Sequence, residues 1–518
     1  MRNQGIGSWT ARRARKSPHA LAVVHQNRQY SYLDLYERSI RLAARLREAG
    51  LRSQDKVAFL GPNHPAFLET LFAAGVLGAV FVPLNTRLAP AEVEHCLRDS
   101  GTRILISTDG YQKLADEACA GCEDILRIAV DEAYEDRLST GAAEPIDEPV
   151  ALTDPCMIMY TSGTTGRPKG AMLSHGNLTW NAINVVVDTD FAHDEVTLVS
   201  APLFHTAALN MTCLPTLLKG GTVIVEESFD EARTLELIAA RGVTTLFGVP
   251  TMYQRLADAP GFDEADLSGV RNLMCGGAPV PESLIRRYLE RGLSFVQGYG
   301  MTEASPGALL LDADHALSKA GTAGVPHFFT DVRLARTDGS ATEPGEPGEI
   351  QVEGPNVMLG YWGREQETRI ALADGWLHSG DLAAEDTDGY VRIVDRIKDL
   401  IISGGENIAP AQVESAFFQH EAVADCAVIG VPDERWGEVG RAVIVLKEPF
   451  IPDEAQAAQL LAFAAERLAK YKVPKSVIFT DSLPRTGAGK VLKSALREQY
   501  GEAGNASDKQ EPGKRERR

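Results

Sequence analysis

Positive charge is in short supply: 52 Lys and Arg stand against 71 Asp and Glu, leaving a formal charge of −19. A surface of that sign repels phosphodiester backbones and anionic bilayers, which argues against a general nucleic-acid or membrane-surface binder. An anionic substrate must then meet locally placed cations. Cysteine is sparse too. Seven thiols are scattered over 518 residues, an odd number in a large chain, which argues against a disulfide framework and for free buried thiols. Cys119 and Cys122 form a single C-x-x-C, but no second pair or neighbouring histidine completes a zinc site, so the motif is given no function. Long apolar runs are also missing: residues 71–84 form the longest, well short of the roughly 20 residues a spanning helix needs. The first residues lead into Arg12, Arg13, Arg15 and Lys16 without an apolar core, so no secretory signal is read and a cytoplasmic address is expected.

What is present is an ordinary globular composition, 44% hydrophobic and 24% charged, in a chain too long for one compact domain. Elements alternate as in an α/β fold. Ser31-x-x-Asp34 has the form of a capping box, opening a helix that ends near Gly50. Strand 56–60, helix 65–77, strand 80–82, helix 90–97 and strand 103–106 follow, and a second series runs over residues 177–296. Between residues 330 and 361 the texture changes to short strands with Gly and Pro turns, a small β-rich part. Two α/β sheets plus this part make a large N-terminal domain over residues 1–397. Polar residues at Arg396-Ile397-Lys398-Asp399 mark the boundary to a small α+β C-terminal domain, 398–500, and the polar tail 501–518 is expected to be disordered.

The stretch Tyr160-Thr161-Ser162-Gly163-Thr164-Thr165-Gly166-Arg167-Pro168-Lys169-Gly170 has the ingredients of a phosphate cradle. Glycines let backbone N–H groups turn toward an anion, hydroxyls add short donors, and Arg167 and Lys169 add charge. It is not a Walker A loop, because Lys169 is followed by Gly170 and the strand-like Ala171-Met172-Leu173; a strand–loop–strand hairpin is implied instead. On composition alone a flexible Ser/Gly linker stays open.

Company elsewhere decides. Ala201-Pro202-Leu203-Phe204-His205, Gly276-Gly277-Ala278-Pro279, Gln297-Gly298-Tyr299-Gly300-Met301-Thr302-Glu303, Ser379-Gly380-Asp381, Arg396-Ile397-Lys398-Asp399 and Pro484-Arg485-Thr486-Gly487-Ala488-Gly489-Lys490 follow in that order. Their order and wording resemble the adenylate-forming superfamily of acyl-CoA synthetases, adenylation domains and beetle luciferases, over essentially residues 8–500. Within it the chain looks like a stand-alone bacterial fatty-acid–CoA ligase. The resemblance implies ATP, Mg²⁺ and CoA as cofactor and co-substrates, small-molecule partners, no nucleic acid and no integral membrane segment; a homodimer stays open.

Residue by residue, the resemblance implies that the loop grips the pyrophosphate end of ATP through Thr161, Ser162, Gly163, Thr164, Thr165 and Lys169, with Thr165 counted as catalytic. Gly277, Gln297, Gly298, Tyr299, Gly300 and Thr302 are implied around the nucleotide. Tyr299 is a ring to stack on adenine or a core tyrosine at a strand end; Glu303 is a Mg²⁺ ligand or a helix N-terminal charge. Asp381 suits both ribose hydroxyls, and Arg396 adds a donor to the same sugar; the alternative for each is a surface ion pair. His205 is implied at the acyl site, although a lone histidine beside Phe204 is more often structural. Leu209, Val249, Gly277, Gly300 and Met301 complete the acyl surroundings. Lys490, on a Gly-rich turn, is implied as the catalytic ammonium that neutralises charge at the α-phosphate, and Lys398 as the hinge.

These assignments describe two steps on one carbonyl. A carboxylate is a poor electrophile and must become an acyl-AMP anhydride before a thiol displaces AMP. A medium- or long-chain fatty acid is the main expectation, and an aryl acid of the cinnamate kind or a carrier-protein acceptor is the alternative. Some long-chain ligases place a gating tryptophan four residues after the motif histidine, where this chain has Leu209. That departure argues against a tryptophan gate and leaves aryl acids such as cinnamates open.

Overall fold

The computed structural model describes residues 2–122, 124–140, 143–161, 168–403, 406–433, 435–485 and 490–501, with residues 406 and 407 as backbone only. Two compact units emerge: Met1–Ser379 with Ala384–Ile393, and Gly380–Ala383 with the chain from Val394 onward. The division falls a few residues before the expected 397/398 boundary. The reason is that the chain passes between the units along the neighbouring strands Leu377–Glu385 and Val391–Arg396. Apart from Gly501, the tail expected to be disordered lies outside the described residues.

The larger unit is built on two sheets. In the first, seven strands run in the order Gly360–Tyr361, Lys169–Ser174, Pro155–Thr161, Val80–Leu84, Lys56–Leu60, Thr102–Thr108 and Leu126–Val130. Its inner members are parallel, as successive strand–helix repeats require. The helix Pro65–Leu77 is buried at every position, so it is apolar all round, with Pro65 at its first turn and Gly78 ending it at φ +65°. Its one charge, Glu69, is satisfied by Arg38 at 2.5 Å and the Tyr134 hydroxyl at 2.7 Å, which is what makes that burial tolerable.

The second sheet has nine strands, with Val196–Val199, Thr245–Gly248, Asn272–Gly276 and Phe295–Gly300 as parallel neighbours. Their carboxyl ends line up along one edge, where Cys275 pairs with Gln297 and Gly276 with Gly298. Open parallel sheets bind ligands at this edge. The strand Gly307–Leu311 then returns antiparallel beside Phe295–Gly300. The β-rich part expected from the Gly/Pro texture is present as Asp331–Ala335 paired antiparallel to Gly348–Glu353.

In the smaller unit the long hairpin Val423–Asp433 and Gly437–Leu446 carries side chains alternately to two cores. Cys426 and Val428 face Val413, Phe417 and Leu460, while Ala427, Ile429 and Val431 face Leu483 and Leu496. Among the described residues no helix is long and apolar enough to cross a membrane, and the seven cysteines are free.

Candidate active site

The hairpin implied around residues 160–170 is present: Pro155–Thr161 pairs antiparallel with Lys169–Ser174, and Thr161 faces Lys169. Ser162, Gly163, Thr164 and Thr165 lie outside the described residues. The base of the hairpin is fastened through Asp99. Its carboxylate accepts from the Tyr160 hydroxyl at 2.9 Å and from Arg364 at 2.7 Å, and its carbonyl accepts from the Trp362 indole at 2.9 Å. Burial, then Asp99, pushes the Tyr160 hydroxyl above its ordinary pKa, so it stays a donor.

Sequence reasoning did not single out Tyr361, yet the structure puts it between two predicted site residues. Gly360–Tyr361 adds to the hairpin, pairing Tyr361 with Ala171. The Tyr361 hydroxyl donates to Glu303 Oε1 at 2.8 Å, and its ring lies 5.6 Å from the Lys169 ammonium. Lys169 also pairs with Glu367 at 3.8 Å. Hairpin cation and candidate metal carboxylate therefore share one aromatic side chain, with Oε2 of Glu303 left without a donor among the described residues.

Glu303 rides on the short helix Thr302–Ala304, entered through Met301 and left through Ser305, a non-glycine residue at φ +70°. Such a conformation persists only where neighbours over-determine it. Here they do: Met358 N–H donates to the Glu303 carbonyl at 2.8 Å, Met301 N–H to the Pro306 carbonyl at 3.1 Å, and the buried Asn356 amide to the carbonyls of Ala304 and Gly307 at 2.8 and 2.7 Å. Gly300 is required by this packing, since an added Cβ would overlap the Pro306 carbonyl. Tyr299 is half-buried beside it on the same strand. Gln297 is buried, and its Nε2 finds no partner among the described residues.

Gly277 sits at φ +85°, open to glycine alone without strain, and an added Cβ there would stand 3.6 Å from Val249. The predicted acyl residues Gly277 and Val249 are thus brought together. His205 caps the one-turn helix Thr206–Ala208, its ring 4.7 Å from that of Phe204. Leu209 begins a widened, π-type turn, Leu209–Cys213, and is fully buried there.

In the smaller unit Asp381 is largely buried and meets Arg396 Nε at 3.3 Å, which is the ion pair weighed as the alternative reading for both. Beyond it comes the turn Ile397–Asp399. Asp399 is tied to Arg497 at 2.7 Å, and partial burial, followed by Arg396, lowers the Lys398 pKa. Lys490 is exposed, following residues 486–489, which lie outside the described residues.

A sequence profile described as "AMP-binding enzyme" matches residues 10–362, and one described as "AMP-binding enzyme C-terminal domain" matches residues 412–490. The chain belongs to the AMP-binding enzymes. Its similarity to individual members spans nearly the whole length. A feruloyl-CoA synthase of Amycolatopsis is 58% identical over 501 residues, 97% of this chain and 100% of that one. A long-chain-fatty-acid–CoA ligase of Mycobacterium tuberculosis is 38% identical over 503 residues, 96% of this chain and 99% of that one. Among solved structures, the o-succinylbenzoate–CoA synthetase of Bacillus subtilis in complex with ATP and magnesium superposes with a TM-score of 0.86 at 34% identity, covering 95% of this chain and 99% of that one. Within the AMP-binding enzymes the chain is an acyl-CoA synthetase, an AMP-forming acid–thiol ligase.

Proposed function

We propose that this ligase activates an aryl acid of the hydroxycinnamate class, joining it to CoA with release of AMP and pyrophosphate. The carrying observation is the 58% identity to a feruloyl-CoA synthase over 97% of the chain, against 38% to a fatty-acid ligase. This reverses the order expected from sequence, in which a fatty acid came first. Leu209 in the place of a gating tryptophan agrees with the reversal.

The residues fit the substrates. The unpartnered Nε2 of Gln297 offers a buried donor to a purine edge beside Tyr299, and a buried donor without an acceptor is costly until a ligand supplies one. The Asp381 carboxylate suits two vicinal hydroxyls, with Arg396 holding its charge in place. Glu303, its Oε1 held by Tyr361 and its Oε2 without a donor among the described residues, suits a hard cation; Mg²⁺ there would screen phosphate charge. Lys169 and the hairpin would hold the polyphosphate, His205, Gly277 and Val249 would border the acid, and Lys490 would supply an ammonium as the carboxylate attacks the α-phosphate. Lys398 would be the hinge about which the smaller unit turns between adenylation and thioester formation.

A fatty acid is the second reading, carried by the 38% identity to the mycobacterial enzyme. The test is pyrophosphate release with ATP across ferulic, cinnamic, octanoic and palmitic acids, with and without CoA, and products weighed by mass spectrometry. Turnover of ferulic acid to its CoA thioester is the expected result; turnover of the fatty acids alone would replace the aryl reading with the second one.

A further inference from the structure

The helix His175–Asp188 carries three buried asparagines, Asn177, Asn181 and Asn184, along one face. Buried amides cost free energy unless their ends are bonded, so each needs a reason. Asn177 donates to the carbonyls of Pro355 and Val357 at 2.8 and 2.7 Å. Asn184 accepts from Phe329 N–H at 2.8 Å and donates to the Thr330 hydroxyl at 3.0 Å. Both fasten turns of the β-rich part.

Asn181 does something different. Its Nδ2 donates to the Asn210 carbonyl at 2.8 Å, and its Oδ1 accepts from Gly307 N–H at 3.1 Å. Asn210 lies inside the π-type turn Leu209–Cys213, close after His205. Gly307 opens the strand paired with Gly300, two residues after the left-handed Ser305 that ends the short helix carrying Glu303. One carboxamide therefore spans the acyl-side turn and the nucleotide-side loop. The approach is close, since an added Cβ on Gly307 would stand 3.2 Å from Asn181 Oδ1.

Both joined elements have an unusual backbone that buried neighbours fix. A π-type turn is a rare alternative to regular helix, and a left-handed serine is held only by its surroundings. A side chain bonded to both elements passes a shift in one on to the other, so a ligand that biases either one biases its partner. Asn356 supplies a contrast within the same loop, because it holds Ala304 and Gly307 without reaching the Leu209–Cys213 turn.

We infer that Asn181 is a positioning residue that couples the two halves of the site, so that acid ordering the Leu209–Cys213 turn favours nucleotide at the Glu303 loop, and the reverse. This rests on the ligase reading above. Calorimetric titration of the full chain with α,β-methylene-ATP and Mg²⁺, with and without saturating ferulic acid, measures the coupling directly. In the unaltered protein the acid tightens nucleotide binding at least about fivefold, the lower edge of ordinary coupling, and in Asn181→Ala the ratio falls to about one. Asn181→Asp, which keeps the acceptor for Gly307 N–H and loses the donor to Asn210, shows the same loss. Asn184→Ala keeps the coupling while melting at lower temperature. Coupling absent from the unaltered protein, or retained in both Asn181 variants, overturns the inference. Failure of the ligase reading looks different: no pyrophosphate release from ATP by the unaltered protein with any acid.

Discussion

Between residues 297 and 307 the chain is held by buried partners: Asn181 and Asn356 on Gly307, Met358 on Glu303, and a Pro306 carbonyl so close that residue 300 must be glycine. Lys490, by contrast, is exposed, and Gly487 and Gly489 precede it in the sequence. On the proposed function the two regions would serve the same nucleotide, one by fixed geometry and the other by reach. A base and a metal ion bind where donors are already in place, so their site belongs on a packed strand end. If Lys490 supplies an ammonium needed in only one of two half-reactions, it would have to be able to leave, and a long side chain would help it do so.

The contrast breaks most sharply at Lys490. Lys490→Ala is expected to slow adenylate formation by roughly a hundredfold, about 3 kcal/mol, while leaving melting temperature and the conversion of supplied acyl-adenylate with CoA unchanged. Lys398→Pro should give the mirror image, keeping adenylation and losing thioester formation; the two half-reactions measured separately check both. Gly300→Ala attacks the rigid side. The overlap with the Pro306 carbonyl should destabilise the larger unit by about 1–3 kcal/mol and raise the KM for ATP, read by thermal melting and pyrophosphate exchange. A variant that melts normally would show that this region is less constrained than its packing indicates.

Acid offers a test of the packing elsewhere in the larger unit. His175, at the end of the hairpin strand, is fully buried and accepts from Ile6 N–H at 3.3 Å, and burial lowers its pKa to about 4. Because the folded value lies below the unfolded one of about 6.5, the neutral ring's contribution is present above pH 6.5. It is lost as pH falls toward 4, by about 1.4 kcal/mol per pH unit. His175→Gln should therefore melt with a shallower pH dependence between 6.5 and 4.5 than the unaltered protein, and parallel curves would contradict the assignment. The smallest effect is expected at Tyr361→Phe, which removes one hydrogen bond from Glu303: about 1 kcal/mol, or roughly fivefold in the Mg²⁺ concentration for half-maximal rate.

Much of the scaffold was legible because local chemistry dictates it. Pro65 and Gly78 bracket the helix Pro65–Leu77, Ser31 and Asp34 close a capping box, and the apolar residues on either side of the 160–170 stretch form the hairpin they suggest. The candidate site residues are likewise named from short local motifs. Contacts made by packing were not legible in this way. Tyr361 reaches Glu303 across 58 residues of chain, and Asn181 reaches Gly307 across 126. Asn177, Asn181 and Asn184 are spaced to share one helix face, but nothing in that spacing says that the face points inward. The surroundings of Leu209 were the least legible, because it lies fully buried in a π-type turn that no periodicity announces.

The central claim is an aryl acid–CoA ligase, and competition tests it most directly: ferulic and palmitic acids at equal concentration with ATP, Mg²⁺ and limiting CoA, the two thioesters quantified by mass spectrometry. Feruloyl-CoA in at least about tenfold excess, a difference of about 1.4 kcal/mol in transition-state binding, is the predicted result. Palmitoyl-CoA in excess would contradict it.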